Sequence, residues 1–130
     1  MPLVRISVRS GKSPSELSAI SEAVHQAMIE TITVPADDRF QIFTEHGVDA
    51  PLVADRKYLG IDRTEDAVIV QITLNRGRTL EQKRALYRAI ADRLARNPGI
   101  RKEDVMVSLV EVGKEDWSFG NGEMSYVKPT

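Results

Sequence analysis

The chain has 130 residues, which is the size of one domain with a modest core. Its 18 basic and 19 acidic residues give a formal net charge of −1, so no basic excess favours binding to nucleic acid or to an anionic membrane. The absence of cysteine excludes disulfides, thiolate metal sites and a cysteine nucleophile, and no apolar run approaches the roughly 20 residues of a membrane-spanning helix. Arginines interrupt the N-terminal apolar stretch, which is therefore not a signal peptide. We expect a single cytoplasmic domain over residues 1–130.

The first part of the chain has the pattern of a strand, a helix and a second strand. Residues 3–9 alternate between apolar and polar side chains, as in a strand with one buried face. Ser13 and Glu16 have the spacing of a capping box, with a proline at the first helical position, so a helix is expected to begin there. A β-branched run and then Pro35 end this helix. Residues 39–45 predict the second strand.

The same order of patterns recurs in the second half. Residues 67–75 alternate as a strand, and Thr79 and Gln82 have the spacing of a second capping box. The helix that follows is expected to stop at the Asn-Pro-Gly sequence of residues 97–99. Residues 104–111 predict the fourth strand.

The connection between the halves, residues 46–66, is polar and mixed in composition. We expect one short strand near residues 57–61 and otherwise irregular structure. A connection of this length is either a functional loop or lid or a plain crossover, and the sequence leaves both interpretations open.

The two halves align without gaps at a constant offset, which matches Gly11 with Gly77 and keeps both capping boxes and both apolar periods in phase. This indicates an internal repeat, with residues 2–45 corresponding to residues 68–111. We therefore predict an α+β fold of tandem β-α-β units. It has a ferredoxin-like four-stranded sheet with two helices on one face.

The sheet face away from the helices is expected to carry apolar residues such as Leu3, Phe43 and Ile69. An apolar sheet face needs a cover, and association with other copies of the chain is the simplest one.

The tail after the last strand contains Asn121-Gly122, which is a type I′ turn signal and predicts a C-terminal hairpin. Trp117, Phe119 and Tyr126 lie in this tail. Side chains of this kind are more often core or interface residues than walls of a substrate site.

Pro2 follows the initiator methionine, whose removal would leave a secondary amine at the N-terminus. An α-amino group titrates near pH 8, so it can act as an acid or a base at working pH. Many proteins have proline at this position, so the signal is weak when taken alone.

Charged residues also stand at the predicted strand ends. Arg76 and Arg78 flank a glycine just after a strand, where two guanidinium groups can converge on one carboxylate or can simply be solvated. Asp37 and Asp38 precede a strand, where they can cap a turn or point into a site.

The chain has two histidines. We expect His25 to be a partly exposed helical residue and His46 to lie in a loop. Neither has a second ligand at metal-binding spacing, so the sequence predicts no metal and no cofactor.

Together, the second-position proline, the tandem units and the stretches PLVRISVRSGKS, VPADDRFQ, NRGRTLEQK and EDWSFGNG resemble the tautomerase superfamily. Within it, the sequence is most similar to the malonate semialdehyde decarboxylase branch. The resemblance spans residues 2–126 and implies a homotrimer with the fold of macrophage migration inhibitory factor. By position, it implies an active site made of a proline, an aspartate, two arginines and an aromatic wall, namely Pro2, Asp38, Arg76, Arg78, Trp117, Phe119 and Tyr126.

The resemblance implies decarboxylation of a small 3-oxo acid to an aldehyde and CO₂. A nearby carboxylate at Asp38 would raise the pKa of the Pro2 amine, and the protonated amine would polarise the 3-carbonyl or donate a proton. A Schiff base at Pro2 is a second route. The arginines would hold the substrate carboxylate, and hydration of acetylenic or haloacrylic acids is a further implied activity.

Two alternatives remain at this point. If the arginines and burial lower the pKa of Pro2, the residue becomes a general base and the site a keto-enol tautomerase of 2-oxo acids such as phenylpyruvate. The chain could instead be a non-enzymatic trimeric binding module. No nucleic acid or membrane partner is expected for any of these functions.

Overall fold

Two helices lie against one face of a four-stranded sheet in the computed structural model, which describes residues 2–129. A separate pair of very short strands lies in the connection between the halves. The elements in chain order are β1 Leu3–Arg9, α1 Pro14–Ile32, β2 Gln41–His46, β3 Lys57–Tyr58, β4 Ile61–Asp62, β5 Val68–Asn75, α2 Leu80–Arg96 and β6 Val105–Val112.

The sheet has the strand order β2-β1-β5-β6. Each β-α-β unit contributes one parallel pair, β1 with β2 and β5 with β6. The two pairs meet at the centre, where β1 runs antiparallel to β5 with Val4 opposite Ile72 and Ile6 opposite Val70. This is the predicted architecture.

Both helices begin where the capping boxes predict. Ser13 Oγ accepts from Glu16 N at 3.2 Å, and the Glu16 carboxylate accepts from Ser13 N at 3.0 Å. Thr79 and Gln82 make the equivalent pair at 3.1 and 2.9 Å. These bonds satisfy backbone N–H groups that have no partner inside the helix.

The core lies between the helices and the inner face of β1 and β5. Alternate residues of the two central strands are fully buried against apolar residues of both helices, as the sequence periods predict. This layer holds the two central strands against the helices. Its largest members are Ile6, Ile20, Met28, Ile32, Ile72, Leu74, Leu86, Ile90 and Leu94.

One prediction about the outer face of the sheet was wrong. Phe43 lies on the helix face of the sheet, because it is paired with the buried Ile6 and paired neighbours point to the same side. Leu3 and Ile69 do lie on the outer face, and Met106 lies there as well. Leu3 and Met106 keep 36% and 46% of their surface exposed. The outer face therefore remains partly apolar, although Phe43 does not contribute to it.

The tail forms the predicted turn without a strand pair. Asn121 and Gly122 have φ values of 59° and 68°, as a type I′ turn requires, and Glu123 N donates to Gly120 O at 3.2 Å. Within residues 113–129, however, the structure has no strand. One main-chain bond crosses the turn, from Ser125 N to Trp117 O at 3.2 Å, but Phe119 N donates to the Ser125 hydroxyl at 2.9 Å instead of to a main-chain carbonyl.

The connection of residues 46–66 contains two very short strands where the sequence predicted one. Asp104, which is 1% exposed, accepts from Thr64 N and Thr64 Oγ1, both at 2.6 Å. Arg9 donates to Leu52 O at 3.0 Å, and Lys12 forms an ion pair with Asp66. These contacts attach the connection to the sheet edge at which β1 ends.

Neither of the two helices described within residues 2–129 is long and apolar enough to cross a bilayer.

Replacing Asp104 by alanine should lower the free energy of unfolding by about 3 kcal/mol, because Thr64 would lose two bonds to a buried carboxylate. Equilibrium unfolding in urea measures this change. Glu103→Ala is the matched control, since it removes the neighbouring, exposed carboxylate and should cost less than about 0.5 kcal/mol. Equal stability of the two variants would contradict an anchoring role for Asp104.

Candidate active site

The topology gathers the predicted site residues at one edge of the sheet. β1 and β2 are parallel and begin at this edge, whereas β5 and β6 run the opposite way and end there. The residue before β1, the loop before β2 and the segments after β5 and β6 must therefore lie near one another. These segments contain Pro2, Asp38, the pair Arg76 and Arg78, and the aromatic tail.

Pro2 is buried and stands directly before β1. Val4 N donates to Phe40 O at 2.9 Å, which holds the start of β1 beside the loop that carries Asp38. Met1 lies outside the described residues.

Asp38 is half-buried, whereas Asp37 is exposed, so only one of the two aspartates faces the interior of this edge. The loop turns through a bond from Asp38 N to Pro35 O at 3.1 Å. The negative charge of Asp38 acts on Tyr126: burial and, secondarily, this charge raise the pKa of the Tyr126 hydroxyl above its usual value. Asp38 and the aromatic tail therefore share one environment.

His25 of α1 holds the loop that carries Asp38. Its Nε2 lies 2.9 Å from Ala36 O, and since a carbonyl can only accept, this nitrogen carries the proton. The residue is 1% exposed, so the prediction of a partly exposed histidine was wrong. The reason is that the loop before β2 folds back over this face of α1.

The two arginines occupy different environments. Arg76 is exposed, and its backbone N donates to Val112 O at 2.9 Å. Arg78 is half-buried and donates to Asn75 O at 3.2 Å and to Ile32 O at 3.4 Å. Ile32 is the last residue of α1, where the helix dipole and unpaired carbonyls favour a cation. Arg78 is thus oriented by main-chain carbonyls, whereas Arg76 is the exposed member of the pair.

The aromatic wall consists of Phe40, Trp117, Phe119 and Tyr126. Trp117 and Phe119 stack with ring centroids 5.2 Å apart, and Phe119 contacts Phe40 and the edge of Tyr126, each at 5.5 Å. Phe40 was missed by the sequence analysis, although it stands two residues after Asp38. The wall gives this edge an apolar surface next to two cationic side chains.

Asn75 is a second residue that the sequence analysis missed. It is the last residue of β5 and immediately precedes the Arg-Gly-Arg segment. Its side-chain oxygen accepts from Trp117 Nε1 at 2.7 Å, and its backbone carbonyl accepts from Arg78.

At the opposite edge of the sheet, the residues that correspond to Arg78 and Asp38 are bound by the connection between the halves. Lys12 stands at the position that corresponds to Arg78 in the predicted repeat, and it is paired with Asp66. Asp104 corresponds to Asp38 and is bound by Thr64. The corresponding groups at this edge are thus bound within the chain, whereas at the Pro2 edge Arg76 is exposed and Asp38 and Arg78 are half-buried. Within residues 2–129, no group of three or more histidine, aspartate or glutamate residues is arranged to hold a metal ion.

Comparison with known proteins gives consistent matches. A family described as tautomerase enzyme matches residues 38–120, and a second family with the same description matches residues 2–56. The chain is 44% identical to "Probable tautomerase YusQ" of Bacillus subtilis (strain 168), over 98% of this chain and 100% of that protein.

Two solved structures extend the comparison. FG41 malonate semialdehyde decarboxylase, inhibited by 3-bromopropiolate, is similar with a TM-score of 0.87 and 38% identity, over 95% of this chain and 93% of that one. A fused 4-OT described as a symmetric trimer has a TM-score of 0.74 and 26% identity, over 93% and 94% of the two chains.

Asp38→Asn should lower the pKa of Tyr126 towards its usual value, because the substitution removes a neighbouring negative charge and leaves burial in place. Alkaline titration of the phenolate absorbance measures the effect, and subtraction of a Tyr126→Phe titration isolates this one of the three tyrosines. Asp37→Asn, an identical change at the exposed neighbour, should leave the titration unaltered. If the pKa of Tyr126 were the same in the wild type, Asp38→Asn and Asp37→Asn, the charge of Asp38 would not act on the aromatic wall.

Proposed function

The chain belongs to the tautomerase superfamily, and we propose that it decarboxylates a small 3-oxo acid in the manner of malonate semialdehyde decarboxylase. The observation that carries the proposal is the position of Pro2, which directly precedes β1 at the same edge as Asp38, Arg78 and the aromatic wall. The 38% identity to a decarboxylase that is inhibited by 3-bromopropiolate, a three-carbon carboxylate, supports the same substrate class.

The arginines supply the binding step of the proposed reaction. Arg78 is already oriented by two main-chain carbonyls, and the exposed Arg76 can close on the same anion from the other side of Gly77. Gly77 has a φ of 124°, a conformation that other residues rarely adopt, so the segment needs glycine here. The aromatic wall would then exclude water from the bound carboxylate, whose charged form it disfavours relative to CO₂.

Pro2 supplies the electrophile. With Met1 removed, its protonated amine donates a hydrogen bond to the oxygen of the 3-carbonyl. The bond between C1 and C2 breaks and C1 leaves as CO₂. The electron pair of that bond forms the C2=C3 bond of an enolate, and the negative charge develops on the oxygen beside the amine. A proton then adds to C2, which gives the aldehyde. Asp38 holds the amine in its charged form and, for a hydration reaction, would orient water.

We further propose that the protein is a homotrimer, as the fused 4-OT structure is described to be. The outer sheet face exposes nearly half of Met106 and Val110, and neighbouring copies would bury it. Phe40 and Phe119 are also 49% and 41% exposed in the single chain, so a neighbouring copy would close the aromatic wall as well.

Pro2→Ala should reduce turnover of malonate semialdehyde by about 100-fold or more, because it replaces the secondary amine that polarises the carbonyl. Coupled detection of acetaldehyde measures the rate. Intact mass must show that Met1 is absent from both proteins, and light scattering must give both the same trimeric mass. Undiminished turnover in the variant would remove Pro2 from the mechanism.

A tautomerase of 2-oxo acids is the second candidate, favoured by the 44% identity to a probable tautomerase. The two functions need opposite protonation states of Pro2, an acid for decarboxylation and a base for tautomerisation.

We expect the pKa of the Pro2 nitrogen to lie above the usual α-amino value of about 8, since the Asp38 carboxylate stabilises the charged amine. Nitrogen-15 NMR of the processed protein measures it directly. A pKa well below that value, together with turnover of phenylpyruvate, would support the tautomerase. Turnover of neither substrate would instead favour a binding module.

A further inference from the structure

We propose that Asn75 is a positioning residue that fixes the aromatic wall relative to the arginine that binds substrate. Its side chain and its backbone carbonyl contact the two parts of the site separately. The inference deepens the proposed function and rests on it where turnover is concerned, but its structural part stands independently.

The first contact is to the wall. Trp117 Nε1 donates to Asn75 Oδ1 at 2.7 Å, and because an indole N–H is only a donor, the amide oxygen must face it. Trp117 has left the sheet by this point, since β6 ends at Val112. The bond to Asn75 therefore ties the irregular tail to the end of a central strand.

The second contact is to the arginine. Arg78 Nη1 donates to Asn75 O at 3.2 Å, while Arg78 Nη2 reaches Ile32 O at 3.4 Å. A substitution of the Asn75 side chain leaves this carbonyl in place. The side chain and the backbone of one residue can thus be tested separately.

The position of Asn75 makes it a rigid support. It is the last residue of β5, it is paired with Val112, and the preceding Leu74 is buried in the core. Trp117 in turn stacks on Phe119, which contacts Phe40 and Tyr126. One hydrogen bond therefore sets the position of a four-residue wall, and functional groups on a rigid strand end are held more accurately than groups on a free loop.

The test compares Asn75→Leu with Asn75→Asp. Leucine has a similar volume and cannot accept the indole N–H, whereas aspartate keeps an accepting oxygen and adds a negative charge near Arg78. We expect Asn75→Leu to lower kcat about tenfold or more with KM changed less than about twofold, because the wall shifts while the arginine stays. Asn75→Asp should instead raise KM and keep most of kcat, because its charge competes with the substrate carboxylate.

Trp117 is the only tryptophan, so its fluorescence reports this contact without any assay of activity. We expect acrylamide to quench Trp117 more strongly in Asn75→Leu than in the wild type, and equally in Asn75→Asp and the wild type. Wild-type quenching in Asn75→Leu would overturn the proposal, whether or not the protein turns over the expected substrate. Altered quenching in a protein that turns over no substrate would uphold the positioning role and reject the proposed function alone.

A double-mutant cycle with Trp117→Phe completes the test, since phenylalanine removes the donor and leaves Asn75 unchanged. The combined variant should lose about as much kcat as either single variant, a departure from additivity of about fivefold or more. Fully additive losses would overturn the proposal, as would a defect of Asn75→Leu that lies in KM only. If Asn75→Leu does not fold, Asn75→Ala removes the same acceptor without the branched bulk, and the same expectations apply to it.

Discussion

The antiparallel pairing of β1 with β5 is the constraint on which the rest of the site depends. Within each β-α-β unit the two strands are parallel, so the start of a strand lies beside the start of its partner and never beside an end. Because the two units are joined through oppositely directed central strands, the start of β1 meets the end of β5. Pro2 from the first unit is thereby brought to the same edge as Arg76 and Arg78 from the second.

Main-chain carbonyls and a buried helix residue also position the side chains at this edge. The carbonyl of Ile32 at the end of α1 accepts from Arg78, so a feature that terminates a helix also orients a cation. His25, which lies within the same helix, donates to the carbonyl of Ala36 and so holds the loop that carries Asp38. The aromatic wall lies in irregular segments, as do Asp38, Arg76 and Arg78, and it is attached to the sheet through Asn75.

The sequence predicted those features that short-range rules determine. Capping boxes located both helix starts to the residue, and Asn121-Gly122 located the turn of the tail, because each signal depends on a few neighbouring residues. Strand periodicity also predicted the sheet and its buried face. It misassigned Phe43, since the face of an edge strand depends on its register with a partner that periodicity does not specify.

The site was predicted unevenly for the same reason. The resemblance to a known superfamily pointed to seven residues, and the structure brings their segments to one edge. Phe40, Asn75 and His25 were not assigned to the site because their importance arises from contacts with residues far away in the chain. Asparagine at a strand end and histidine within a helix have many ordinary roles, so residue type alone carries little information about such contacts.

In the proposed mechanism, the use of a terminal amine limits how many reactive centres an assembly of this chain can hold. A polypeptide has a single N-terminus, so two tandem units that use a terminal amine can share only one such amine. At the corresponding position in the second unit stands Val68, which is fully buried and has no free amine. The edge near Val68 has a structural role instead, since contacts of Asp66, Thr64 and Asp104 attach the connection there. In the proposed mechanism, each chain therefore has one reactive amine for its two units, and the connection between the halves is attached at the edge that lacks it.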